Sequence, residues 1–472
     1  MTKPQRTLLF FCLFGAFIGI VPILILYSQG YRMDIHTLSV THTGALFVKT
    51  APPRADIFVD GEPAKRTDLL FGSAFIGNIF PGNHLVEIFK DGYQPWKKIL
   101  PVTAKNVTEA KQVILFKDKI SFQAVADNIE RAWFSPDEKY ALLKKKEPNK
   151  TWKATLVHLE TRAEEFLFSQ QNSKEDLLDI TWASNSKRML AKTSQGEALR
   201  YSVWGISKED ACFAAPCGKD ALPKETGAVA FSPLSADTLL YTSFLGETQS
   251  LFETEYLPRE SLENLSAPFK INRLANNVEA FTMQGDAVIW IDTEGKLWER
   301  NLAQTEEGRA LPFSSIPLLK EEQKTLYAIQ DAVLLMQKDT VSARSPLFPD
   351  MTFRASSLSP SPDGSSAIAA TQHELLLVYL KKQEGQTPRK AGEITPLLKT
   401  NTLVKNIAWI TPWHILFSAG SAVQIVETDA RGAANVAKLT ESPSPILYWK
   451  NSLSAFYLLS NESLTLSESL LP

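Results

Sequence analysis

The sequence predicts an all-β body carried behind one N-terminal transmembrane helix. Three observations predict it. An uncharged run of about twenty apolar residues, Leu8–Tyr27, opens the chain, and a run of that length crosses the ~30 Å hydrocarbon layer once. Beyond it, short alternating stretches punctuated by Gly, Pro and Asp replace any long amphipathic helical pattern. From about Ser121 onward an aromatic opening returns every 40–50 residues.

Lys3 and Arg6 precede the apolar run and Gly30-Tyr31-Arg32 follows it. Positive charge before the run favours a cytoplasmic N-terminus, with the rest of the chain extracytoplasmic. The competing reading is a cleaved signal peptide, whose apolar core is ~7–15 residues long and ends in a small-x-small site. Here the run is longer and ends Leu24-Ile25-Leu26-Tyr27-Ser28-Gln29-Gly30. The expectation is therefore an uncleaved single-span signal anchor over residues 1–28, followed by a linker over 29–43. Pro22 is tolerable in such a helix. Gly15 and Gly19 have the spacing that lets two membrane helices approach as a homodimer, although glycine is also common in membrane helices without that role.

Composition narrows the partners. A net charge of -2 argues against nucleic acid, which needs a basic stripe. The densest basic spots, Lys97-Lys98 and Lys144-Lys145-Lys146, read as solvated strand edges. A 44% hydrophobic content suits packed domains, two or three at this length. Of three cysteines, Cys12 falls in the apolar run, while Cys212 and Cys217 bracket a short loop. Outside the cytoplasm such a pair is expected to close a local disulfide. A metal site is not expected, because two thiolates need two further ligands and no histidine is near.

Residues 44–117 read as a small antiparallel sandwich. Gly44–Thr50 alternates, Ala51-Pro52-Pro53 stops it, and Asp56–Val59 ends in Asp60-Gly61, a tight-hairpin signal. Phe80-Pro81-Gly82 turns into His84–Lys90, Asp91-Gly92-Tyr93 turns again, and Trp96–Val102 and Gln112–Phe116 close the unit. His84, directly after the Pro-Gly turn, is expected to hydrogen-bond locally, and Tyr93 and Trp96 to cover the core. These residues resemble the PEGA domain family, through Gly44, Val48, Pro53, Ile57, Val59, Asp60, Gly61, Pro81, Gly82, His84, Val86, Gly92 and Tyr93. One departure is Pro53-Arg54-Ala55-Asp56, which lacks the family's glycine and forces a residue with a Cβ into that turn. The resemblance implies a non-catalytic extracytoplasmic sandwich that serves as a surface module.

Residues 121–472 repeat. Trp133, Trp182, Phe231 and Phe281 are spaced by 49, 49 and 50 residues, and Trp409 and Trp449 by 40. Further openings occur at Leu358–Gly364, Ile407–Trp409 and Leu447–Trp449. A period of 40–50 residues with about four strands per unit predicts a seven- or eight-bladed β-propeller, with the stretch Leu326–Ser345 the hardest to divide. A β-helix or a second sandwich is the alternative. The Phe-Ser-Pro-Asp and Ser-Pro-Asp-Gly openings resemble the WD40-like repeats of TolB-type propellers. Asp137 and Asp363 match the repeat's aspartate, Asn185 replaces it in the second unit and Leu234 in the third.

No G-x-S-x-G elbow, H-E-x-x-H, C-x-x-C, P-loop or G-x-G-x-x-G is present. Of the six histidines, His36 and His42 are expected in solvent on the linker, and His414 in a core or at a strand end. Glu164-Glu165, Glu306-Glu307 and Glu321-Glu322 are adjacent in sequence, so in strands they point to opposite faces. Asp292-Thr293-Glu294-Gly295 reads as a hairpin turn rather than a calcium loop. No catalytic residue, cofactor or metal is assigned. The expected function is that of a cell-membrane-anchored, extracytoplasmic binding or scaffold protein of the bacterial envelope, with an envelope polymer or protein as partner. The alternative is a glycan hydrolase or lyase with carboxylates gathered at the propeller channel.

Overall fold

The computed structural model of the chain describes residues 3–34, 39–148, 151–170, 174–196, 198–214, 216–217, 222–223, 225–256, 270–304, 306–320 and 322–471. His36 and Glu321 lie outside them. The first element is a helix, Lys3–Ser28, in which Leu9–Ser28 is long and apolar enough to cross a membrane. Its apolar side chains face outward all round, as they would toward lipid. Gly30, at φ +84°, ends it in the left-handed conformation that glycine adopts at helix C-termini.

The segment read as a linker is an antiparallel hairpin, Tyr31–Asp34 against Ser39–His42, with Tyr31 opposite His42. Thr43 returns to the helix end, its N–H and hydroxyl both donating to the Gly30 carbonyl at 3.0 Å. Arg32 sits 3.5 Å over the Tyr27 ring and donates to the Tyr27 carbonyl (2.7 Å) and to Asn78 Oδ1 (2.8 Å). A cation thus meets the negative end of the helix dipole and ties it to the next module.

That module has two sheets around one core. The four-stranded sheet runs Glu62–Arg66, Asp56–Val59, Gly82–Phe89, Trp96–Val102. The three-stranded sheet runs Ser73–Ile79, Gly44–Ala51, Val107–Ile114. Leu46, Val48, Ile57, Val86, Ile88 and Leu100 fill the space between them, fully buried. Each buried aliphatic side chain contributes about 1.5–3 kcal/mol, and this core lies wholly within the two sheets. Asp60 (φ +53°) and Gly61 (φ +83°) form the tight hairpin turn. His84 braces it, Nδ1 against Asp60 Oδ2 at 2.6 Å and Nε2 against the Phe80 carbonyl at 2.7 Å. Arg54 takes φ +59° in the turn that lacks a glycine.

The rest of the chain is a β-propeller. Eight sheets follow one another among the described residues. Their first strands are Ile129–Phe134, Glu175–Trp182, Thr226–Phe231, Val278–Gln284, Lys324–Ile329, Ser357–Pro360, Val404–Thr411 and Ile446–Lys450. Within the first seven of these sheets the strands pair antiparallel in sequence order. Eight buried clusters each join two successive sheets, and the last joins the eighth sheet to the first through Tyr457, Leu459 and Ile129, so the series closes on itself. Closure is made by Phe122–Asp127, which precedes the first sheet but pairs with Ser463–Ser467 in the eighth, Phe122 opposite Ser467. A twisted sheet buries only part of its surface alone, and closing the ring covers the faces and leaves short edges.

First strands of neighbouring sheets approach one another, and side chains cap their inward carbonyls. Trp182 Nε1 donates to the Trp133 carbonyl (3.3 Å) and Trp409 Nε1 to that of Ser359 (3.0 Å), while Gln284 Nε2 donates to the Gln330 carbonyl in the turn that follows the first strand of the fifth sheet (2.7 Å). The sequence period therefore reports the spacing of these strands. The unit opening at Lys324–Ile329 has no Ser-Pro-Asp turn. There the chain reverses through Gln330-Asp331, with Ile329 directly opposite Ala332. Gly285-Asp286 and Pro412-Trp413 make equally short reversals, and two-residue turns have no room for the motif.

Where the motif survives, Ser135 Oγ donates to Asp137 Oδ1 (2.6 Å), as Ser361 Oγ does to Asp363 Oδ1 (2.6 Å). Asn185 Oδ1 does part of this work by accepting the Lys187 N–H at 3.0 Å. Asp137→Ala is accordingly expected to destabilise the ring by about 1–2 kcal/mol through the lost acceptor. Asp137→Asn should cost less than half as much, with both read from urea unfolding of the full chain.

Candidate functional site

The strand Trp96–Val102 alternates buried and exposed, placing Trp96, Lys98, Leu100 and Val102 on the core side. It is also an edge strand. Lys98 can therefore lay its methylene stem along the core and carry its ammonium out past the sheet edge toward the ring. There it ion-pairs with Glu427, 329 residues away, and donates to the Asp429 carbonyl at 2.7 Å. The Lys98 side chain is fully buried and that of Glu427 is 8% exposed. Trp96 Nε1 (2.9 Å) and the Asn435 N–H (3.2 Å) donate to the same carboxylate. Burial raises the Glu427 carboxyl above its ordinary range, with Lys98 and Trp96 opposing that rise. Asp429 would also be raised by burial, but Arg431 (2.6 Å) and Lys98 outweigh it and hold the carboxyl low.

Two glutamines complete the junction. Gln386, from the ring, accepts the Glu109 N–H at 2.7 Å and donates to the Val107 carbonyl, capping the free edge of the sandwich strand Val107–Ile114. Gln94, from the sandwich, donates to the Lys438 carbonyl (2.6 Å) and accepts the Lys438 N–H (3.1 Å), capping the outer strand Val436–Glu441 of the seventh sheet. Each module thus satisfies a strand edge of the other with a side-chain amide.

A cleft of about 440 Å³ remains between the modules, walled by Trp96, Lys111, Tyr379, Trp413, His414 and Arg431. His414 is buried, its Nδ1 3.0 Å from Thr411 Oγ1 and its ring edge-on to Phe116. Burial first, then the nearby Lys98 charge, lowers its pKa to about 4, so the imidazole is neutral at pH 7. Lys98, Glu427, Asp429 and Arg431 are thus paired with one another beside the cleft.

This corrects the reading of Lys98 and Lys144 as solvated edge residues, while Lys97 and Lys146 are exposed as expected. Lys98 is buried as described, and Lys144 is buried against Glu130 (3.0 Å) and Asp176 (2.6 Å). Both occupy strand positions that face a core, Lys98 in the alternating strand Trp96–Val102 and Lys144 at the end of the continuously buried run Ala141–Lys144, and the carboxylate partners come from elsewhere in the chain. The alternation itself, Trp-Lys-Leu-Val on one face, was the available signal. First-strand carboxylates are similarly engaged: Asp179 accepts Trp133 Nε1 (2.9 Å) and Glu279 pairs with Lys324 (3.0 Å). No group of three or more metal-ligating side chains occurs among the described residues.

Cys212 and Cys217 form a disulfide, buried between the second and third sheets. Cys217 pairs through its backbone with Val203, standing in for a fourth strand. Gly15 and Gly19 lie on the apolar helix with open space where a Cβ would stand. Asp292 is a turn residue, its Oδ1 accepting the N–H groups of Glu294 and Lys296, each at 2.9 Å.

No protein-family model matches the chain, and no curated protein matches it. Solved β-propellers are similar in fold. The Dos1 propeller matches with a TM-score of 0.47 and 11% identity, over 74% of this chain and 94% of that one. BamB from Moraxella catarrhalis matches at 0.43 and 12%, over 74% and 100%. The Cps50 (Swd1) β-propeller domain of Myceliophteria thermophila matches at 0.40 and 10%, over 74% and 99%. Likeness at this level concerns the ring of sheets and carries nothing about ligands.

Two outcomes follow from the junction. Lys98→Met or Glu427→Leu alone strands a buried charge and should destabilise the docked pair by about 3–5 kcal/mol, whereas the double variant should recover most of that loss. Chemical unfolding of the four proteins checks this as a double-mutant cycle. Second, a histidine with a depressed pKa contributes stability that is complete above its ordinary value of 6.5 and drains as the pH falls toward about 4. The loss should be on the order of 3 kcal/mol, and His414→Gln should flatten the stability-pH curve across that window.

Proposed function

We propose that this chain is a non-catalytic, membrane-anchored scaffold of the bacterial cell envelope. Its apolar helix is an uncleaved anchor with the N-terminus cytoplasmic. A PEGA-like sandwich at 44–117 and a TolB/WD40-like propeller at 121–472, in which each of the eight sheets is one blade, face the extracytoplasmic side as binding surfaces for an envelope polymer or a protein. The observation that carries this reading is the buried Lys98–Glu427 junction with its glutamine caps. It joins sandwich and ring, as Arg32 joins the helix end to the sandwich, so the propeller is held at a set height and aspect rather than on a loose tether. That is what a display platform needs, and it is not a requirement of turnover.

Topology and binding test the two halves of the proposal. A C-terminal alkaline phosphatase fusion should be active and a C-terminal green fluorescent protein fusion dark. The reverse pattern would place the body in the cytoplasm and end the envelope reading. The detergent-solubilised full chain should co-sediment with isolated envelope material. Quantitative recovery in the supernatant would remove the polymer as a partner and direct crosslinking toward proteins.

A further inference from the structure

A groove of about 530 Å³ lies between the outer strand of the third sheet, Lys270–Ala275, and the outer strands of the fourth, around Trp298, Arg300 and Gly308. Arg300 projects into it with a buried Nε that has no hydrogen-bond partner, the only cationic atom in that state among the described residues. Its neighbour Glu299 is taken by Arg309 at 2.8 Å. Across the groove Arg273 is likewise without a carboxylate within ion-pair distance among the described residues. A buried guanidinium N–H without an acceptor is unfavourable, even though the Arg300 side chain as a whole is only half-buried.

The wall between the two arginines is aromatic and held in place. Trp298 donates its indole N–H to Asp292 Oδ2 (2.7 Å) and stacks on the buried Trp290, ring centroids 6.2 Å apart and planes within 7°. Lys296 places its ammonium 4.9 Å from the Trp298 centroid. Gly308 passes so close that a Cβ there would stand 2.2 Å from the Trp290 ring. Asp292 is spent on its turn and on Trp298. Glu294 and Glu307 are exposed on the groove rim.

Guanidinium groups take a carboxylate bidentately. An indole packs against the flat C–H face of a ring, whose hydrogens meet its negative π-surface. Rim carboxylates accept from hydroxyls but repel a bare anion. One ligand class satisfies all three demands, and we propose that this groove binds an acidic saccharide, a sugar ring carrying both a carboxylate and free hydroxyls. The proposal rests on the ring being a binding surface, yet it fails separately. Co-sedimentation with envelope material alongside an inert groove would remove only the groove.

The test is isothermal titration of the detergent-solubilised full chain. The probes are hexuronate disaccharides, the same disaccharides with the carboxylate reduced to an alcohol, and inorganic phosphate. Binding of a hexuronate with Kd on the order of 1 mM or tighter, at least tenfold weaker for the reduced sugar, supports the proposal. Arg273→Gln, an exposed change that leaves the fold intact, and Arg300→Gln should each weaken it at least fivefold, and Trp298→Phe should weaken both sugars. Equal binding of charged and reduced sugars overturns the proposal, as does displacement by phosphate, absence of binding, or affinity unaltered in both arginine variants.

Discussion

A lysine that ends in a buried carboxylate on another module governs this molecule. Lys98 belongs to the sandwich by its backbone and stem and to the ring by its charge. Removing two full charges from water is expensive, and the pair persists because Trp96, Asn435 and the Asp429 carbonyl supply the hydrogen bonds that water would have supplied. A hydrophobic contact of the same area tolerates sliding. This one accepts a single geometry, since a shift of an ångström or two leaves a charge buried and unmatched. The junction therefore specifies where the ring sits more than it adds to stability.

The second organising constraint is the fate of strand edges. The sandwich has free edges, and the ring exposes the outer strand of every sheet. Several are handled locally: the ring closes with Phe122–Asp127, the carbonyls of Trp133 and Ser359 on first strands accept neighbouring indole N–H groups, and Gln94 and Gln386 cap the edges that meet at the junction. All three devices put hydrogen-bonding groups from distant sequence onto backbone that secondary structure alone leaves open.

Much of this architecture was legible. The apolar run, the Asp60-Gly61 hairpin and the spacing of Trp133, Trp182, Phe231 and Phe281 are local signals, and local signals survive in a single sequence. The unit at Lys324–Ile329 was the hardest to read, because it has neither the Ser-Pro-Asp turn nor the Trp or Phe that marks the equally short reversals after Phe281 and Trp409. The junction was illegible for a different reason. Lys98 looks like any lysine until its alternation with Trp96, Leu100 and Val102 is taken at face value, and Glu427 carries no local mark at all. Arg300 is a third kind of case, since an arginine without a partner is defined by what surrounds it in space. Pairing over hundreds of residues is written in the fold rather than in the spacing.

The closing strand also sets an order of events. Phe122–Asp127 is made long before its partner Ser463–Ser467, which lies more than 330 residues further along the chain. The sandwich holds all its strands within the first 114 residues and can fold while the rest of the chain is still emerging. It must then wait for the seventh sheet before Lys98 finds Glu427, and for the eighth before the ring shuts. Through that interval the early strand is an unpaired edge open to the wrong neighbour. The chain's hazard is thus concentrated in time, between the birth of one six-residue strand and the arrival of its mate.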